Sequence, residues 1–139
     1  MIGLYCLNAS FGREGDLEGL FLADSEDVKY LIDNKVSVYF GEVLGKHSEV
    51  YGSFISDEIE LITEDGKVID IFRKDNISSG YNPFVYNVCT FDMEEEQIPQ
   101  NGIEWSDCTV QEYIDFMKRN IIPSYYKEEY EKWKKDNNK

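Results

Sequence analysis

Residues 58–72 read EIELITEDGKVIDIF, and the fold turns on how this stretch is divided. Ile59 and Leu61 alternate with Glu58 and Glu60, and Glu64, Asp65 and Gly66 follow. Asp-Gly is a favoured pair for a two-residue hairpin turn. Beyond it Ile69 and Ile71 alternate again, with Asp70 between them. The pattern predicts two antiparallel strands, 58–63 and 67–72, each with one wet face. Glu58, Glu60 and Asp70 form the exposed row, which also blunts pairing at the sheet edge.

Upstream, residues 36–52 read VSVYFGEVLGKHSEVYG. Strand-like runs at 36–44 and 50–55 meet at a polar knot of Gly45, Lys46, His47, Ser48 and Glu49, which holds the single histidine. A turn carried on paired strands is a rigid base for presenting side chains. Further upstream, 2–7 alternates as a first strand, and 8–19 is polar and glycine-rich, hence a loop or wide hairpin connection. The apolar run at 20–23 pairs back on the first strand. Asp24 and Ser25 are N-cap candidates for a helix over about 25–34, with Glu26 and Asp27 in its first turn and Val28, Leu31 and Ile32 on one stripe.

Downstream, 73–79 is a polar loop, 80–83 a turn, 84–91 one more strand, and 92–102 an acidic loop. Thr109 and Glu112 have the spacing of a capping box, so a helix starts there. It ends or kinks at Pro123. A second helix over 124–135 carries Tyr126, Tyr130 and Trp133 on one face. The expected fold is α+β: a mainly antiparallel sheet of about five or six strands, one short early helix, and a kinked C-terminal helical arm on one face. The 139 residues fit one domain, with an acidic β-rich body over 1–108, the arm over 109–135 and a frayed tail over 136–139.

Charge narrows the partners. Residues 1–110 hold 22 acidic and 7 basic residues, a net of −15, while 111–139 are near neutral at +1. Such a body repels nucleic-acid backbone and anionic lipid, because phosphate binding needs clustered Lys and Arg. It attracts a basic protein surface. The acids could present spaced negative charges to a cationic groove, as a nucleic-acid mimic would; a solvated, solubilising surface is the plainer meaning. Cys6, Cys89 and Cys108 are odd in number and far apart, so no zinc motif and no disulfide framework is expected, and a reducing, cytoplasmic location is inferred. The chain has neither a signal-peptide pattern at its start nor an apolar run long enough for a membrane span.

Three functional classes are compatible with these residues. The leading one is a non-enzymatic acidic binding protein, acting as an inhibitor, immunity-type protein or nucleic-acid mimic on a basic target through Glu58, Glu60 and Asp70. A second is a small-ligand binder holding a nucleotide-like anion with Arg13, Lys46, His47, Ser48, Glu49 and Tyr51. The third is an enzyme using His47 as general base. The glycine-rich loop around Arg13 fits neither dinucleotide nor Walker spacing, and the cysteines lack the basic neighbours that make a thiolate. No cofactor and no metal site is expected. The aromatic stripe at 126–133 belongs to the core or to a homodimer interface, so the chain is a monomer or a dimer through its arm.

Overall fold

The computed structural model describes residues 1–12, 15–43, 49–77 and 79–137. Strand β1 (Ile2–Ser10) puts Tyr5, Leu7 and Ala9 inward and Cys6, Asn8 and Ser10 outward, the two-residue alternation of a half-buried strand. It pairs along its whole length with β2 (Asp16–Asp24), Ile2 opposite Asp24 and Ser10 opposite Asp16. Of the loop or wide hairpin connection expected over 8–19, the structure shows a hairpin, with 8–10 and 16–19 in its strands. Polar Asn8, Ser10, Asp16 and Glu18 are the wet face of a long hairpin, closed by the Phe11 N–H donating to the Gly15 carbonyl at 2.8 Å.

Helix α1 (Ser25–Asp33) comes directly after, capped by the Asp24 carboxylate accepting from the Glu26 N–H at 2.8 Å. Strand β3 (Val38–Gly41) then buries Val38 and Phe40 and pairs with β4 (Val50–Gly52). Both are shorter than the runs expected at 36–44 and 50–55. After a 3-10 turn at Ser56–Glu58 comes β5 (Ile59–Thr63), antiparallel to β1.

The second half of the opening stretch is not a strand. Residues 66–74 form helix α2 (Gly66–Lys74), and Asp65 caps it by accepting from the Lys67 N–H at 2.8 Å. Ile69 is buried, whereas Ile71, its expected partner on a strand face, is 53% exposed. A two-residue strand β6 (Ser79–Gly80) comes next. The expected strand at 84–91 likewise shrinks to β7 (Asn87–Val88) between two 3-10 turns.

The strands form two antiparallel sheets rather than one. The first has order β5-β1-β2-β6, and the second has order β4-β3-β7. At Gly19 a Cβ would sit 2.2 Å from the Tyr81 carbonyl, so only glycine lets the chain leaving β6 pass so close beside β2. Phe11 meets Phe40 edge-on at 6.3 Å, and Phe21 meets Phe84 at 5.9 Å. These rings join the faces into one core with Leu7, Leu17, Leu31, Val38 and Phe54.

Helix α3 (Val110–Arg119) starts at the expected capping box. Thr109 Oγ1 accepts from the Glu112 N–H at 3.1 Å, and a Glu112 carboxylate oxygen accepts from the Thr109 N–H at 2.9 Å. It ends at Asn120 in a left-handed conformation. The chain turns through Pro123 and Ser124–Tyr126 into α4 (Lys127–Asn137), which runs past the expected end at 135. Tyr126 and Tyr130 pack on the core, with Tyr130 against Phe116 at 6.4 Å and Trp133 at 6.1 Å. The α+β architecture with a bent helical arm on one side thus holds. No helix among the described residues is long and apolar enough to cross a membrane.

Candidate functional site

The second sheet carries the most distinctive surface. Val38, Phe40 and Val50 face inward, so Tyr39 and Tyr51 must face outward, and the register places them directly opposite each other. The 3-10 turn at Thr90–Asp92 lifts Phe91 onto this pair. Its ring lies 4.9 Å from Tyr51 and 6.4 Å from Tyr39, both edge-to-face. Phe91 is 67% exposed and Tyr51 39%, so the three rings form a shelf open to solvent.

Carboxylates border the shelf. The Tyr39 hydroxyl donates to Glu49 at 2.8 Å, and that bond, reinforced by the Glu49 and Glu42 charges, raises the Tyr39 hydroxyl above its ordinary range. Behind Phe91, the buried Ser37 hydroxyl donates to Asp92 at 2.7 Å and fixes the turn against β3. A cleft of about 170 Å³ lined by Tyr39, Val88, Cys89, Thr90, Phe91 and Ser106 opens beside the rings. Burial pushes the Cys89 thiol up, so it holds less thiolate at neutral pH than an exposed cysteine. Aromatic faces with carboxylates at their rim suit a cation: ring quadrupoles attract a Lys or Arg head group, and the acids neutralise it.

Of the anion-site residues expected from sequence, Glu49 and Tyr51 lie on this shelf, while Arg13, Lys46, His47 and Ser48 lie outside the described residues. Tyr39 and Phe91 were missed. Tyr39 was legible as the outward position between Val38 and Phe40; nothing local announced Phe91, which arrives from a remote turn.

The acidic row dissolves. Glu58 is half-buried in a 3-10 turn, where its carboxylate accepts from the Ile55 N–H at 2.9 Å. Glu60 is exposed on β5, and Asp70 is exposed on α2. Asp70 leaves the row because 66–74 is a helix, and Glu58 leaves it because the strand begins only at Ile59, after the 3-10 turn.

Two other polar clusters stand apart. Asp27, buried on α1, accepts from Gln111 at 2.9 Å, Lys118 at 3.3 Å and Arg119 at 2.8 Å, all on α3. It ties two helices together. Asn101 and Trp105 line a cleft of about 340 Å³, and the Asn101 Nδ2 and Trp105 Nε1 donors are buried without a partner among the described residues. Among the described residues, no three His, Cys, Asp or Glu side chains are grouped to hold a metal ion. Comparison with protein-family models, with curated proteins and with solved structures gave no match.

Proposed function

We propose that this is a non-enzymatic binding protein of the cytoplasm that captures a basic protein target, in the manner of an inhibitor, an immunity-type protein or a nucleic-acid mimic. The Tyr39–Tyr51–Phe91 shelf with Glu49 at its rim carries this reading. A solvent-open cluster of three rings costs hydration, and its neighbours are acids, so the chemistry it rewards is a cationic side chain. The net charge of −14 supports it by drawing a basic partner from a distance and orienting the encounter. Raised thiols at Cys89 and Cys108 also favour binding over cysteine chemistry. The His47 general-base reading rests on a residue outside the described set, as do Arg13, Lys46 and Ser48 of the anion-binding reading, whose other two residues, Glu49 and Tyr51, belong to the shelf.

The test is affinity capture on the tagged protein, with partners identified by mass spectrometry at low and physiological salt. A basic partner is expected, released as salt rises. Phe91→Ala should weaken it about tenfold, the size of a partly desolvated cation–π contact. A partner indifferent both to salt and to the paired change Tyr51→Ala with Phe91→Ala would overturn the reading. A small anion retained in native mass spectrometry would put the ligand-binding alternative first.

A further inference from the structure

Strand β5 lies at one end of the first sheet. Its inner side pairs with β1, and no strand among the described residues pairs with its outer side. An edge strand turns the N–H and C=O groups of alternate residues outward, a template for another extended chain. Edges are blunted by charged side chains, by Pro, by short length or by bulges. Strand β5, IELIT, has no Lys or Pro. Its charge is the acidic Glu60, which repels a like-charged strand and not a basic one, and its pairing with β1 shifts register at Ile62. It also leaves Leu61 44% and Ile62 51% exposed around the register shift, although Ile59 at the start of the strand is buried.

Charge selects the occupant. Residues 49–66 contain no Lys or Arg, and Asp57, Glu58, Glu60, Glu64 and Asp65 lie within and around β5. A second copy pairing antiparallel on the same edge would set these acids against their own images, and like charges across a strand pair oppose pairing. A chain alternating basic and apolar residues matches both features: its cations meet Glu60 and the flanking acids while its apolar side chains cover Leu61 or Ile62.

We propose that β5 accepts an extended basic segment of a partner protein by strand addition. This rests on the reading of the target as basic, but on a surface distinct from the aromatic shelf. The contact spans the strand's five residues, about 17 Å of extended chain.

The probe is a short capped peptide alternating Lys and Val, compared with the same peptide N-methylated at alternate residues. Binding is followed by amide hydrogen exchange on the isotope-labelled full chain. Slowed exchange confined to residues 59–63 is expected, with affinity lower by about tenfold or more for the N-methylated peptide, which keeps its charge but loses the ladder bonds. Glu60→Lys and Glu64→Lys, both at exposed positions, should each weaken binding too. Absence of binding, or equal affinity for the two peptides, overturns strand addition. Protection at Tyr39, Tyr51 and Phe91 instead of β5 overturns it while leaving the shelf reading intact. Protection of 59–63 that rises with protein concentration alone names a second copy as occupant and also overturns it. Conversely, β5 protection by peptide alongside a captured partner indifferent to Phe91→Ala would separate the two readings in the other direction.

Discussion

Asp27→Asn should destabilise the protein by about 2–3 kcal/mol at neutral pH. The Asp27 carboxylate is buried and accepts from Arg119 at 2.8 and 3.4 Å, Gln111 at 2.9 Å and Lys118 at 3.3 Å. An Asn keeps one acceptor and turns an amide N–H₂ towards donors. Breaking a buried ion pair costs about 3–5 kcal/mol when the surviving charge stays buried. Here Arg119 is 37% exposed and keeps Asp115 at 2.8 Å, and Lys118 is partly exposed, so both cations rehydrate and the cost falls below that range, to about 2–3 kcal/mol. With a urea slope of about 2 kcal/mol per molar, the midpoint should drop by about 1–1.5 M. The pH dependence has a definite sign. Burial alone would raise the carboxyl, but hydrogen bonds from Arg119, Gln111 and Lys118 outweigh it and hold Asp27 below the usual carboxylate range. A depressed folded-state value contributes stability above the unfolded value of about 3.9, and loses it as pH falls through the folded value. The gap between parent and variant should be full at neutral pH and close in acid. Equal urea midpoints at neutral pH, or a gap that persists unchanged into acid, would refute the assignment of Asp27 as the clamp between α1 and α3.

Thr109→Ala removes one arm of the capping box and should cost about 1 kcal/mol by chemical denaturation; no loss would mean that Glu112 alone holds the helix start. Truncation after Asn120 strips Tyr126 and Tyr130 from the core and should lower the melting temperature and increase hydrophobic-dye binding. A truncated chain as stable as the full one would assign the aromatic stripe to a partner. Burial pushes the Cys108 thiol up to about 11, leaving roughly one thiolate in a thousand at pH 8, so a native alkylating reagent should take the less buried Cys6 first. Peptide mapping that finds Cys108 modified early would refute its burial.

The elements legible in the sequence were those with local signals. The α1 cap at Asp24 and the Thr109–Glu112 box are satisfied by atoms two or three residues away, so the chain announces them wherever tertiary structure puts the helix. The first hairpin was half legible: Tyr5, Leu7 and Ala9 alternate, but the wet residues Asn8, Ser10, Asp16 and Glu18 are also turn formers. Length of pairing decided between the two meanings. Two sheets rather than one depend on how remote rings such as Phe11, Phe40 and Phe84 meet, which no window reports. The shelf was legible at Glu49 and Tyr51; Phe91 joins it through a remote turn held to β3 by the Ser37 hydroxyl donating to Asp92 and the Cys89 N–H donating to the Ser37 carbonyl.

At residues 66–74 two local signals compete, and the winner decides which surface stays open. Asp65-Gly66 reads as a hairpin turn, and Ile69 with Ile71 reads as a strand. The same residues also read as a helix: Asp at the N-cap, Val68, Ile69 and Phe72 on one stripe, and Arg73 and Lys74 in the last turn, where cations favour the dipole. A strand there would have lined Leu61 and Ile62 with a partner and covered the outer edge of β5. The helix instead buries Ile69 and leaves Ile71 exposed, and no strand among the described residues lies beyond β5 on that edge. Asp70 is thereby removed from the acidic row, but Glu60 remains on the strand and Glu64 and Asp65 remain in the short connection to α2. The feature that defeats the hairpin is also the one that leaves an acidic, apolar edge unpaired. At Gly66 an added Cβ would meet nothing within 4 Å, so Gly66→Ala should strengthen the helix. If that variant leaves peptide binding at β5 intact, the edge is set by α2 as described. If stabilising the helix abolishes that binding, 66–74 must unfold to admit the peptide, and the open edge is not the docking site.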